Sequence, residues 1–173
     1  ILSGEAELDY LNSVLEETER AGGERDLAEI RQELERTGYL KKQSKNQKQK
    51  PQRSEPMRFV SGTGKLIRVG KNNTQNDELT LRSSSKTDIW LHAQKIHGSH
   101  VVISADGGKT DETTLNQAAC LAALYSKASD SSGVPVDYTL IKYVKKPSGA
   151  KPGMVIYTDY KTIYVTPDKN LPE

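Results

Sequence analysis

Near the start of the chain, apolar residues recur at three- and four-residue intervals: Leu8, Leu11 and Leu15, then Leu27, Ile30 and Leu34. Each set describes one apolar stripe of an amphipathic helix. Ala21-Gly22-Gly23 lies between them, and two adjacent glycines cost roughly 1 kcal/mol each inside a helix. The pattern predicts two helices, about 5–20 and 25–37, with Gly38 as the C-terminal stop. Stripes this short do not stand alone. From Lys41 to Pro56 the apolar pattern disappears: Lys41, Lys42, Lys45, Lys48, Lys50 and Arg53 stand among Gln, Ser and Asn. Such a stretch buries too little surface to offset its ordering entropy. It reads as a solvated tether, a reading compatible with a basic segment that tracks a phosphate backbone.

Apolar residues return at Met57. Met57–Ser61 and Lys65–Val69 read as a strand pair around Gly62-Thr63-Gly64. Asn72-Asn73 breaks the second strand, and Thr74-Gln75-Asn76-Asp77 caps a short helix to about Arg82. Ile89–Ala93 and His100–Ala105 are strands joined by a turn at Gly98. Thr114-Leu115-Asn116-Gln117 has capping-box form and opens a core helix to about Ala128, with Ala118, Leu121, Ala122 and Tyr125 on one face. Asp130-Ser131-Ser132-Gly133 ends it, and strands follow near 136–144, 153–158 and 162–166. The order predicts an α+β fold: a compact β-rich domain with two helices at 57–173, preceded by a helical arm segment at 1–40 and a basic linker at 41–56.

Composition narrows the class. Apolar residues make up only 34% of 173, so the core is small for the length. No run of 18 apolar residues marks a transmembrane helix, and the opening residues are not expected to be a signal peptide. Ile1 stands where an initiator methionine would, and the chain is expected to be a piece of a longer protein. The single Cys120 rules out an internal disulfide and fits a reducing compartment. The formal charge of +2 hides an asymmetry. Residues 1–40 hold 11 acidic and 4 basic residues, whereas 41–56 hold 6 basic and 1 acidic and 57–173 hold 15 basic and 11 acidic. A basic module behind an acidic arm suits an anionic partner.

The candidate chemistry concentrates between Arg68 and Ile103, where the lone Trp90, all three histidines and an asparagine cluster fall together. Asn72, Asn73, Asn76 and Asp77 are turn and cap residues, and amides in excess of that need can face a ligand. Trp90 alternates with Ile89 and Leu91, so it faces away from them; it either packs in a core or stacks on a base. His92, His97 and His100 lack a fourth metal ligand, because Cys120 lies mid-helix among alanines. His92 and His100 are instead expected to form one hydrogen-bonded unit with Asp88, or to contact RNA. Lys142, Lys145, Lys146 and Lys151 bracket Pro147-Ser148-Gly149-Ala150, a loop able to bring ammonium heads to one anion. Gly107-Gly108-Lys109-Thr110 lacks the earlier glycine of a phosphate-binding loop. Gly98-Ser99-His100 sets Ser and His on opposite faces of a strand, and there is no Gly-x-Ser-x-Gly elbow. The expectation is a binding module, not an enzyme, with no cofactor and no metal.

Three ordered motifs carry a resemblance: Gly-Lys-Asn-Asn-x-Gln-Asn-Asp at 70–77, Asp-x-Trp-x-His-Ala at 88–93 and Gly-Ser-His-Val-Val at 98–102. With Ala118-Ala119, Val136-Asp137-Tyr138-Thr139, Val144-Lys145-Lys146-Pro147 and Lys151-Pro152-Gly153-Met154-Val155-Ile156-Tyr157, residues 57–173 resemble the NFACT-R domain. That domain occurs in bacterial fibronectin-binding-protein-A-like proteins and in eukaryotic NFACT proteins of ribosome-associated quality control. The segment before it resembles the end of the family's coiled-coil arm. His97 departs from the pattern, standing where proline is expected. The resemblance implies a Gram-positive coccal source and a cytoplasmic factor that binds tRNA and large-subunit ribosomal RNA and supports C-terminal alanine tailing of stalled chains. Its RNA-binding residues would be Lys71, Asn72, Asn73, Gln75, Asn76, Trp90, His92, Ser99, His100, Lys145, Lys146 and Lys151. The alternative it carries is a surface adhesin that binds fibronectin or fibrinogen without inserting into a membrane.

Overall fold

The computed structural model describes residues 3–43 and 53–170, and the chain divides into two compact units, Ile1–Glu55 and Pro56–Glu173. Most of the basic linker lies outside the described residues; 41–43 and 53–56 adopt neither helix nor strand.

The first unit is a helical hairpin of α1 (Gly4–Arg20) and α2 (Glu24–Arg36). Ser3 caps α1 by accepting from the Ala6 N–H. Beyond α2, Gly38 adopts a left-handed φ of 87°, and the N–H groups of Tyr39 and Leu40 both close on the Leu34 carbonyl. In α2 the predicted Ile30 and Leu34 pack, but in α1 the face that packs differs from the one the leucine spacing predicts. Tyr10 and Val14 of α1 meet Ile30 of α2, with Leu34, Ala21 and Tyr39 around them, while Leu8 and Leu15 stay 59% and 57% exposed. The cause is polar. Tyr10 donates to the buried Glu33 carboxylate at 2.7 Å, and that bond turns the tyrosine face of α1 inward. Burial, reinforced by Glu33, pushes the Tyr10 hydroxyl far above the usual phenol range.

The second unit is an antiparallel six-stranded sheet in the order β1-β2-β4-β3-β5-β8. The strands are Met57–Val60 (β1), Leu66–Val69 (β2), Ile89–Ala93 (β3), Val101–Ile103 (β4), Val134–Leu140 (β5) and Lys161–Val165 (β8). A separate two-stranded ribbon pairs β6 (Val144–Lys145) with β7 (Ile156–Tyr157). Strand alternation sends Ile67, Leu91, Val101 and Ile103 to one face, where α4 (Glu112–Leu124) covers them with Ala118, Ala119, Ala122 and Ala123. Small side chains let that helix lie close to the sheet. The opposite face sends out Trp90 and Val102, which meet Leu79 of α3 (Asn73–Leu81) and Ile141, Val144, Val155 and Tyr157. Residues 141–157 thus form a strap across the second face. It opens with a 3-10 turn at 141–143, where the sequence pattern had continued a strand.

The core helix also begins and ends earlier than its capping box predicts. Asp111 is the N-cap, accepting from the Thr114 N–H at 2.9 Å, and this backbone bond holds the Asp111 carboxyl down at about 2. Thr114 is buried and its hydroxyl is spent on Ser61 and Asp111. At the other end Ser126 turns back to the Ala123 carbonyl and bridges to Gly98, which stops the helix short of Ala128. The two helices and the sheet give the α+β domain that the sequence pattern predicts.

Candidate nucleic-acid interface

The asparagine cluster turns inward. Asn72 is the N-cap of α3, its Oδ1 accepting from the Gln75 N–H at 2.8 Å, and Gln75 returns the bond by accepting from the Lys71 N–H at 3.0 Å. Asn76 Oδ1 accepts from the His100 N–H at 3.1 Å and lies against Gly70, where a Cβ would meet it at 2.0 Å. Asn72, Asn73, Gln75 and Asn76 are all buried. Their amides tie the first turn of α3 to the end of β2 and the start of β4.

The aromatic and imidazole rings form a second inward group. Trp90 is fully buried, stacked on His92 at 5.7 Å and 3°, edge-on to His100 at 5.3 Å and 4.7 Å from Tyr157. The sequence left Trp90 between core packing and base stacking; the structure packs it. His92 Nε2 lies 3.2 Å from the Gly98 carbonyl. His100 lies between Thr80 Oγ1 at 2.8 Å on Nδ1 and the Gly153 carbonyl at 3.2 Å on Nε2. A carbonyl only accepts, so Nε2 carries the proton and the neutral ring accepts from Thr80 through Nδ1. Burial lowers the pKa of both rings, that of His100 well below the usual histidine value. Ser99 is buried and donates its N–H to the Tyr125 carbonyl.

The expected unit of Asp88, His92 and His100 does not form. Asp88 accepts from the N–H groups of Ser85 and Ala105 at 2.9 and 3.1 Å and lies 3.8 Å from Arg68. It opens β3, whereas His92 sits four residues on, roughly 13 Å away at strand rise. The histidines pair with each other and with Trp90 instead.

The partner that sequence reasoning missed is Asp77. Its Oδ1 accepts from the Gly153 N–H at 3.0 Å and its Oδ2 lies 3.0 Å from Lys146 Nζ. Lys146 also donates to the carbonyls of Lys151 and Met154. Burial raises the Asp77 pKa, against the opposing pull of Lys146. Gly153 has φ 80°, and a Cβ there would stand 2.4 Å from Asn73 Oδ1. Asp77, Lys146, Gly153 and His100 therefore latch the strap onto α3. The run Lys151-Pro152-Gly153 was visible in the sequence, but nothing in it announces a contact with residue 77.

Of the basic residues expected on the 142–151 loop, Lys146 is committed to this latch and Lys151 is half-buried, while Lys142 and Lys145 are exposed. The Lys142 N–H meets the Lys86 carbonyl at 3.1 Å, which places another exposed lysine beside them. The latched strap thus presents ammonium groups from a fixed backbone, a geometry suited to phosphate contacts. Among the described residues, no group of three His, Cys, Asp or Glu side chains is arranged to hold a metal, and no helix is long and apolar enough to cross a membrane.

Residues 56–159 match the family described as the NFACT protein RNA binding domain, and residues 1–53 match that described as the NFACT N-terminal and middle domains. The chain is 49% identical over 164 residues to the Rqc2 homolog RqcH of Bacillus subtilis (strain 168), covering 94% of this chain and 28% of that protein. It is 46% identical over 146 residues to the Rqc2 homolog RqcH of Streptococcus suis (strain 05ZYH33), covering 84% and 26%. The chain therefore spans about a quarter of the length of these relatives. Among solved structures, the C-terminal part of the fibronectin/fibrinogen-binding protein from Streptococcus suis matches with a TM-score of 0.88 at 41% identity, over 96% of this chain and 66% of that one.

Proposed function

The chain belongs to the NFACT family, with the family's RNA-binding domain at residues 56–159, and on that premise we propose that it is the RNA-binding part of a cytoplasmic ribosome quality-control factor. Its RNA would be tRNA together with RNA of the large ribosomal subunit, and the whole protein would support addition of alanine to stalled chains. The observation that carries the reading is the family match, which spans strands β1 to β7 together with the strap. The relatives named Rqc2 homolog RqcH support it. So does the exposure of Lys86, Lys142 and Lys145 around one rigid loop, because phosphate contacts supply most of the affinity of a non-sequence-specific RNA binder.

Titration of the chain with labelled tRNA at several salt concentrations tests this, with fibronectin as the parallel ligand. The expected result is tRNA binding that weakens linearly on a log–log salt plot, and no saturable binding of fibronectin. Binding of fibronectin, with none of tRNA at 50 mM salt or so, would overturn the reading in favour of a matrix-binding module.

A further inference from the structure

We propose that the outer end of the strap-side sheet face, at edge strand β8, is a base-stacking platform for single-stranded RNA. The proposal rests on the RNA-binding reading and names the surface and the form of RNA it takes.

The sheet order ends at β8, and that strand bears Tyr164, 71% exposed; Tyr160, just before it, is 49% exposed. Both look out from the same face. Tyr164 pairs with Pro135 and Thr162 with Asp137, and Asp137 lies opposite His92, on the face that carries Trp90. Tyr160 meets Tyr157 ring to ring at 5.2 Å and 76°, and Tyr157 in turn meets Trp90 at 4.7 Å. A continuous row of rings therefore runs from the buried indole to the exposed edge.

The platform is held rigid from below. Asp137 is buried and accepts from the Tyr157 hydroxyl at 2.5 Å, from Thr162 Oγ1 at 2.7 Å and from Gln94 Nε2 at 3.0 Å. Those bonds fix the tyrosine against which Tyr160 leans and the strand that carries Tyr164. The fold gains little from leaving two large rings in water, whereas every nucleotide base has a face that stacks on tyrosine. Four residues of extended chain set the two rings roughly 13 Å apart, room for a strand to lay one base on each.

Charge favours the same occupant. Lys145 is exposed opposite Ile156, beside Tyr157, in the ribbon. Lys95 is exposed beside Gln94, whose N–H bonds the carbonyl of Pro135, the partner of Tyr164. The exposed acid among them is Asp159, which accepts from the Thr158 hydroxyl. A phosphate backbone running along β8 would meet Lys145 at the Tyr157–Tyr160 end and Lys95 at the Tyr164 end. A protein strand added to the β8 edge would use its backbone groups and leave the rings on the face untouched.

Stacking and phosphate contacts separate by salt. With the whole chain and a fluorescein-labelled 12-nucleotide oligouridylate, anisotropy titrations across a range of KCl give an affinity and a log–log slope. Tyr164→Ala is expected to weaken binding roughly 10-fold at every salt concentration, leaving the slope unchanged. Tyr160→Ala should do the same, Tyr164→Phe should restore wild-type affinity, and all three should melt with the wild type. The proposal is overturned if the wild type binds the oligonucleotide and both alanine variants bind it equally well; the RNA-binding reading then survives. It is also overturned if Tyr164→Ala changes the slope but not the high-salt affinity, since the ring would then act only through neighbouring charge. A wild type that binds neither this oligonucleotide nor tRNA overturns both.

Discussion

Replacing Gly153 by alanine should unlatch the strap. Two costs add at that position. A left-handed φ of 80° costs a residue with a side chain about 1–2 kcal/mol, and a Cβ 2.4 Å from Asn73 Oδ1 forces a buried side chain or the strap to move, at about 1–3 kcal/mol. The expected loss is therefore about 2–5 kcal/mol, more if the bonds from Gly153 to Asp77 and His100 break as well. For a unit of this size that is a fall in Tm of roughly 8–20 °C. Gly149→Ala is the matched control: its φ is 75°, but nothing lies within 4 Å of the added carbon. Both variants restrict the unfolded chain alike, so the difference between them isolates the packing at Asn73. Trp90 fluorescence reports the melt directly, because the indole is buried beneath Val144, Val155 and Tyr157 of the strap. Equal losses in the two variants would refute the latch.

The buried histidines predict a pH dependence. Burial holds the folded-state pKa of His92 and His100 below 6.5, so below pH 6.5 the unfolded chain binds more protons than the folded one. Stability is complete above that value and falls as pH drops toward the folded pKa values, by up to about 1.4 kcal/mol per unit and histidine. Melts from pH 8 to 5 should show it, and His100→Gln should flatten the descent; an equally steep descent in that variant would contradict the assignment. Lys145→Ala should reduce the salt slope for single-stranded RNA by about 0.7 at unchanged Tm, whereas Lys146→Ala should lower the Tm by the cost of an unpaired, partly buried Asp77, about 1–3 kcal/mol. The reverse pattern would place Lys146 on the RNA. Asp88→Ala and His92→Ala should each destabilise, and their effects should add to within about 0.5 kcal/mol, since the two side chains share no partner; strong coupling in the double variant would restore the single unit that the sequence suggested.

Local chemistry was legible in the sequence, and long-range pairing was not. The helix break at Gly22-Gly23, the stop at Gly38 and the Asn72 turn each depend on a few adjacent residues, and each formed where the pattern put it. The core helix shifted because Asp111 offered a stronger cap than Thr114, whose hydroxyl met Ser61 from another part of the chain. In α1 the leucine spacing misled because a buried Tyr10–Glu33 bond, invisible to hydrophobic periodicity, decided which face turned in. The polar cluster around Trp90 is dense in the sequence, but density alone does not say whether amides and imidazoles point toward a ligand or toward each other. Here Asn76, His100 and Asp77 point toward the strap and the sheet. Nothing in the sequence sets Tyr160 and Tyr164 apart, because exposed and buried tyrosines look alike until the strand order shows which edge is uncovered.

The latch also sets an order of assembly. Its contacts join residues 76 positions apart at Asp77–Gly153 and 53 apart at His100–Gly153, while the β1–β2 hairpin closes across five residues, 61–65. Closing a loop of 76 residues costs about 4 kcal/mol of chain entropy, whereas the β1–β2 hairpin closes at little cost and can form first. Docking the strap needs the face that Trp90, Val102 and Leu79 present to be in place already. Ligands that bind only the docked strap hold it closed by mass action. Hydrogen exchange should therefore find Val144–Lys145 and Ile156–Tyr157 opening more readily than β3 and β4, and RNA bound to Lys142 and Lys145 slowing that opening most.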